Sequence, residues 1–144
     1  MQIQRIQTVY IFLAFVAMVI FIFVPYGQVV AIDGEAVTGE TLLVMKEWGI
    51  LIPVAVAAVL LLIDIFLYRD LKLQRKTLVI SLMLTLAVIA TVCFALYKQG
   101  GAEEIDAHFS AWDIMLPFAA LMEIMGVKGI NSDIRLLNSY NRLR

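Results

Sequence analysis

Four runs of apolar residues punctuate the chain, at about 8–24, 48–68, 77–97 and 112–129, and most of its charge falls between them. Roughly 17–25 apolar residues are what a helix needs to cross a hydrocarbon core ~30 Å thick. The expectation is four helices, because lipid offers no partner for a free backbone N–H or C=O. The fourth run is the shortest and carries Pro117, Glu123 and Gly126, so a tilted or partly interfacial segment also fits it. The first run follows Arg5, but Phe21-Ile22-Phe23-Val24-Pro25 offers no small-residue cleavage pattern. It is therefore expected to persist as a helix rather than act as a signal peptide.

Composition strengthens this reading. The hydrophobic fraction of the 144 residues is 62%, against about 45–50% in soluble domains. A chain this short cannot hide that excess from water, because small domains bury only about 60–70% of the surface they expose unfolded. A soluble globular enzyme is thereby disfavoured. A net charge of −1 argues against a nucleic-acid partner. Cys93 is the only cysteine and His108 the only histidine, so neither an internal disulfide nor a zinc site is expected. No cofactor is expected either.

The basic residues set an orientation. Arg5, then Arg69, Lys72, Arg75 and Lys76, then Lys128, Arg135, Arg142 and Arg144 all fall on one side of the four runs. Lys46 and Lys98 fall on the other. The positive-inside rule places the richer side, and with it both termini, in the cytoplasm. Trp48, Tyr68, Tyr97 and Trp112 stand at run ends, where amphipathic rings favour the headgroup layer. The expected fold is thus an all-α integral protein of a bacterial inner membrane.

The first outer loop carries Val29-Val30-Ala31-Ile32-Asp33-Gly34-Glu35-Ala36-Val37-Thr38, which reads as a small β-hairpin turned at Asp-Gly. The second outer loop, from Lys98 to Ala111, reads as a solvated acidic segment. The short cytoplasmic loop makes an antiparallel pair of the second and third helices. Its four cations, Arg69, Lys72, Arg75 and Lys76, anchor topology and suit anionic lipid headgroups. The tail, 131–144, reads as a separate amphipathic helix. Gly129 loosens the preceding helix, and Asn131 or Ser132 caps the next. Ile130, Ile134 and Leu137 share one face, and Leu136, Tyr140 and Leu143 another. With Arg135, Arg142 and Arg144 it suits either the inner leaflet or a protein partner.

Asp64 and Glu123 stand inside apolar runs, where a charge costs at least ~2.5–3.5 kcal/mol at a helix centre. Both are expected toward the cytoplasmic leaflet, in a polar cluster with Gln4, Arg5, Gln7 and Lys128. Arg5 or Lys128 is positioned to pair with Glu123, and Arg69 or Lys72 with Asp64. Ala87, Thr91 and Ala95 recur every four residues, a spacing that lets helices approach closely.

The motif Gln4-Arg5-Ile6-Gln7-Thr8-Val9-Tyr10, the pair Leu73-Gln74, and the set Ile130, Asp133, Leu136, Ser139 and Arg142-Leu143-Arg144 together are distinctive. In them the chain resembles, along its whole length, a family of small four-helix inner-membrane proteins of Bacteroidota classed as a domain of unknown function. Asp133-Ile134 stands where that family usually has an Asp-Glu pair, and Asn141 where it has a second Asp. The resemblance implies a helical inner-membrane fold and supplies no activity.

Ser81, Ser110, Ser132 and Ser139 lie near no histidine in sequence, so no catalytic residue is expected. The leading expectation is an accessory or interaction subunit of a larger membrane complex, in contact with a membrane-protein partner or with further copies of itself. The alternative is a small proton- or ion-coupled transporter or channel that acts as an oligomer through Asp64 and Glu123.

Overall fold

The structure, a computed structural model, describes residues 3–33, 36–99 and 105–142, with side chains described for 6–28, 41–98 and 109–140. Helix α1 spans Ile3–Phe23, α2 Trp48–Phe66, α3 Leu71–Gln99 and α4 Met115–Arg142. Strands β1 (Pro25–Asp33), β2 (Ala36–Leu43) and β3 (Ile105–Phe109) form one sheet in the order β2-β1-β3. Of the helices described, α1, α2 and α3 each hold a stretch long and apolar enough to cross a membrane: Ile6–Phe23, Trp48–Phe66 and Leu71–Lys98.

The helices run up-down-up-down. Helix α1 packs on α2 and α4, and α3 packs on the same two. One end of the bundle carries the sheet. The other, hereafter the turn end, carries the start of α1, the α2–α3 turn and the end of α4. Ile11, Met18, Phe21, Val54, Leu61, Val88 and Leu116 are buried along the shared axis. Gly126 permits close approach there: a Cβ on it would meet Leu78 Cδ2 at 3.1 Å and Ile11 Cγ1 at 3.5 Å.

The sheet exceeds the expected hairpin. The β1–β2 pair runs from Asp33↔Ala36 back to Pro25↔Leu43, and β3 adds a third antiparallel strand through Gly27↔Phe109 to Ala31↔Ile105. Gly34 and Glu35 lie outside the described residues, as do Glu103 and Glu104 of the second loop. A lone hairpin is marginal in water; the third strand gives β1 a partner on both edges. After β3, Ser110 and Asp113 form a capping box on the 3₁₀ turn Ala111–Ile114. Ser110 N–H donates to Asp113 Oδ2 at 2.9 Å, and the Ser110 hydroxyl faces back to the turn's backbone.

Helix α4 corrects a second expectation. It does not break near Gly129 but runs unbroken for 28 residues, about 42 Å at 1.5 Å per residue. The reason lies across the helix interface. Gly129 faces Gln7 of α1, and a Cβ there would stand 2.7 Å from Gln7 Cγ. This glycine makes room for a neighbour and does not end the helix. Asn131, Ser132 and Asp133 lie within the helix rather than ahead of a new one. Asp133 turns inward, where it accepts a hydrogen bond from Gln7 Nε2.

Candidate polar site inside the bundle

Seven polar side chains are buried among the described residues: Gln7, Asp64, Gln74, Ser81, Thr85, Glu123 and Asp133. All belong to the half of the bundle that includes its middle and its turn end. Helix α3 organises them, because Gln74, Ser81 and Thr85, with half-buried Thr77, recur at three- and four-residue spacing and so share one helix face. Asp64 of α2 and Glu123 of α4 meet that face.

Glu123 is fully buried. Its Oε1 accepts hydrogen bonds from the Ser81 and Thr85 hydroxyls, each at 3.0 Å. Ser81 Oγ also lies 3.5 Å from the Ala57 carbonyl oxygen, which sets Glu123 level with the middle of α2. Asp64, also fully buried, accepts through Oδ1 from the Thr77 hydroxyl. Gln74 Nε2 donates to the Asp64 carbonyl oxygen at 3.0 Å, which supplies a partner near the C-terminus of α2. Glu123 Oε2 and Asp64 Oδ2 are buried and have no hydrogen-bond partner.

An ionised carboxylate removed from water without a cation carries a penalty of several kcal/mol after relaxation. Hydroxyl hydrogen bonds, each worth about 1.5–3 kcal/mol to a charged group, offset part of it. The arrangement can therefore hold a positive charge against Glu123 or Asp64. It also ties α2, α3 and α4 together through side chains.

Over residues 3–143 the chain matches the family described as Domain of unknown function (DUF4293). The chain belongs to this family. A search of curated proteins finds no match. The match takes in all four helices, the sheet and the buried polar face, so the site lies within the family's domain.

The structure separates residues that the sequence groups. Gln7 is buried at the level of Gly129 and Asp133, not beside Glu123. Lys128 is exposed, and the partners of Glu123 are the hydroxyls of α3. Arg69 and Lys72 are exposed, and the partner of the Asp64 carboxyl is Thr77. Gln4, Arg5, Arg142 and Arg144 lie outside the described side chains. Arg75 Nη1 donates to Asn131 Oδ1 at 3.3 Å, joining α3 to α4 at the turn end. Lys76 and Arg135 are exposed. Ala87 is exposed, while Thr91 and Ala95 are half-buried, and Thr91 donates to the Ala87 carbonyl of its own helix.

Sequence reasoning missed Gln74, Thr77, Ser81 and Thr85 as a set. The signal was present: hydroxyl residues at 77, 81 and 85, one helical turn apart within an apolar helix. Their meaning depends on which helices that face meets.

Proposed function

We propose that the protein is a non-enzymatic, multi-pass protein of a bacterial inner membrane with both termini in the cytoplasm. In this reading it is an accessory subunit whose turn end docks a membrane-protein partner. Support for the membrane location comes from the helix surfaces. Only 33%, 33% and 28% of the three long apolar stretches is buried inside the molecule. Their remaining surface includes exposed Ile52, Phe66, Met83 and Phe94, which an apolar solvent must cover. Helix α4 completes the bundle as a fourth crossing, its first half apolar and its second half reaching into the cytoplasm.

The docking role rests on one observation, the groove that the continuous α4 makes with the α2–α3 turn. It encloses about 370 Å³, with Leu71, Ile134 and Leu137 as apolar walls and Arg69, Asp70, Lys72 and Asn138 at its polar rim. Leu136, Leu137 and Tyr140 are exposed on the same helix. Apolar walls and a rim in which Arg69 and Lys72 outnumber Asp70 suit an amphipathic helix with acidic residues. The test is affinity purification of the tagged protein from native membranes in mild detergent, with mass spectrometry of what accompanies it. A stoichiometric partner is expected, reduced at least about tenfold, or ~1.4 kcal/mol, by Leu137→Asp with Arg69→Gln. Undiminished association of that folded variant would overturn the docking role.

A second reading, ion-coupled transport by an oligomer through Asp64 and Glu123, is favoured by the burial of both carboxyl groups. The sheet-end half of the bundle counts against a through-path in one copy. There the buried helix positions are apolar, including Met18, Phe21, Val54, Val88, Val92, Leu96 and Leu116.

A further inference from the structure

The buried polar face of α3 begins at Gln74 beside the turn end and stops at Thr85. Beyond Thr85 the buried residues of the same face are Val88, Val92 and Leu96. Facing them are buried Met18 and Phe21 of α1, Ile50 and Val54 of α2, and Leu116 and Ala119 of α4. The polar interior is a well, open in chemistry toward the turn end and bounded by apolar side chains toward the sheet, where Val92 and Leu116 also line a cavity of about 420 Å³ beside Asp113.

We propose that Glu123 is a proton-binding site at the bottom of this well, reached from the turn end by way of Asp64 and the hydroxyls of Thr77 and Ser81. The inference uses the membrane orientation given above but is independent of any docked partner.

The ligand is identified by the enclosed carboxyl oxygen. Two hydroxyls converge on Glu123 Oε1, and Oε2 is fully enclosed with no partner. A proton on Oε2 removes the buried charge and leaves both hydroxyl bonds in place. A hard metal cation asks for about six or more oxygens. The oxygens hydrogen-bonded to the Glu123 carboxyl are the two hydroxyls, and the carbonyl oxygens of Ala57 and Ser81 lie against those hydroxyls. No group of three or more His, Cys, Asp or Glu side chains able to hold a metal occurs among the described residues.

The groups that face Glu123 are few. From α2 the titratable one is Asp64. From α3 there are only the hydroxyls of Ser81 and Thr85. The buried α1 residues Ile11, Ala14 and Met18 carry no charge. On α4 the nearest charged residue in sequence is Lys128, which is exposed.

Delivery is balanced at each step. The half-buried Thr77 hydroxyl takes a proton from water at the turn end and releases its own hydrogen to Asp64, to which it is hydrogen-bonded. Asp64 passes a proton on toward the Ser81 hydroxyl, which releases its own hydrogen to Glu123. Thr77 and Ser81 are four residues apart, a rise of about 6 Å along α3, a gap that a water hydrogen-bonded to both would span. Return of the proton runs the same steps backward. Because the described helix side chains buried between Glu123 and the sheet are apolar, the site exchanges protons with the turn side.

The test is infrared spectroscopy of the full chain in oriented proteoliposomes, with the pH stepped separately on each side. The expected result is a protonated-carboxyl C=O band that responds to pH on the turn side alone. Glu123→Gln should abolish this band. Ser81→Ala with Thr85→Val should keep it but shift it to higher frequency, through loss of the two hydrogen bonds. That second variant decides the matter if Glu123→Gln fails to fold, because it leaves the carboxyl in place. Absence of the band from the unaltered protein, its survival in folded Glu123→Gln, no shift in the double variant, or an equal response from the sheet side would each overturn the proposal.

Discussion

Gly129 shows how one missing side chain sets the geometry of the turn end. Its bare Cα leaves space for Gln7, whose amide then reaches Asp133 one turn farther along α4. An added methyl would stand 2.7 Å from Gln7 Cγ. That atom belongs to the stem of a buried, hydrogen-bonded side chain, so it cannot simply swing away. Gly129→Ala is expected to destabilise the protein by about 1–3 kcal/mol, the usual cost of overpacking, as seen in thermal unfolding in detergent. Adding Gln7→Ala should recover part of that loss, because the two sites share one clash. Strictly additive losses would show that the contact does not limit stability. In sequence Gly129 read as a helix terminator, since glycine is common just past helix ends. Only the neighbouring helix reveals it as a packing residue.

Helix α4 carries the main revision at the scale of elements. The tail 131–144 has polar residues suited to capping, and its apolar periodicity is legible, yet it continues the preceding helix through Arg142. Helix propensity differences of under about 1 kcal/mol per residue are outweighed by packing. Here the Gln7–Asp133 and Arg75–Asn131 bonds hold both flanks of the junction. A proline separates the two arrangements. At Ser132 it would be tolerated in the first turn of a new helix. In the interior of a continuous helix it costs about 3 kcal/mol or more. Ser132→Pro is therefore expected to lower stability by that amount and to raise amide exchange over 128–140. Unchanged exchange would mean that α4 ends where its sequence suggests. The third strand is a similar case. Ile105-Asp106-Ala107-His108-Phe109 alternates apolar and polar residues, but so short a pattern becomes a strand only when β1 offers it an edge.

For the whole molecule, the proposed orientation is open to a direct measurement. Cys93 is exposed on the helix surface, so Cys93→Ser provides a background for single-cysteine labelling. With both termini inside, Thr41→Cys at the sheet end should react with a membrane-impermeant thiol reagent in intact cells. Ser139→Cys on α4 should react only after the membrane is opened. The reverse pattern would invert the orientation and move the turn end, with its groove and polar well, to the outer face. Labelling of both in intact cells would exclude α4 as a crossing helix.

The positions of the long apolar helices, the lopsided distribution of Lys and Arg and the presence of strand-forming residues after α1 were legible in the chain itself. Each depends on neighbours in sequence: a run of hydropathy against a fixed thickness, a tally of charges between runs, a period of two. Family membership is legible in the same way, as a match along residues 3–143. The partners of Asp64 and Glu123 were not legible. Ser81 and Glu123 are 42 residues apart, and Gln7 and Asp133 are 126 apart. Whether they meet depends on the rotation and register of packed helices, which no local pattern contains. Tertiary structure alone decided that Glu123 lies at mid-depth against two hydroxyls and that the polar interior closes toward the sheet. Burying a charge in a bundle is settled by what the facing helices bring to it.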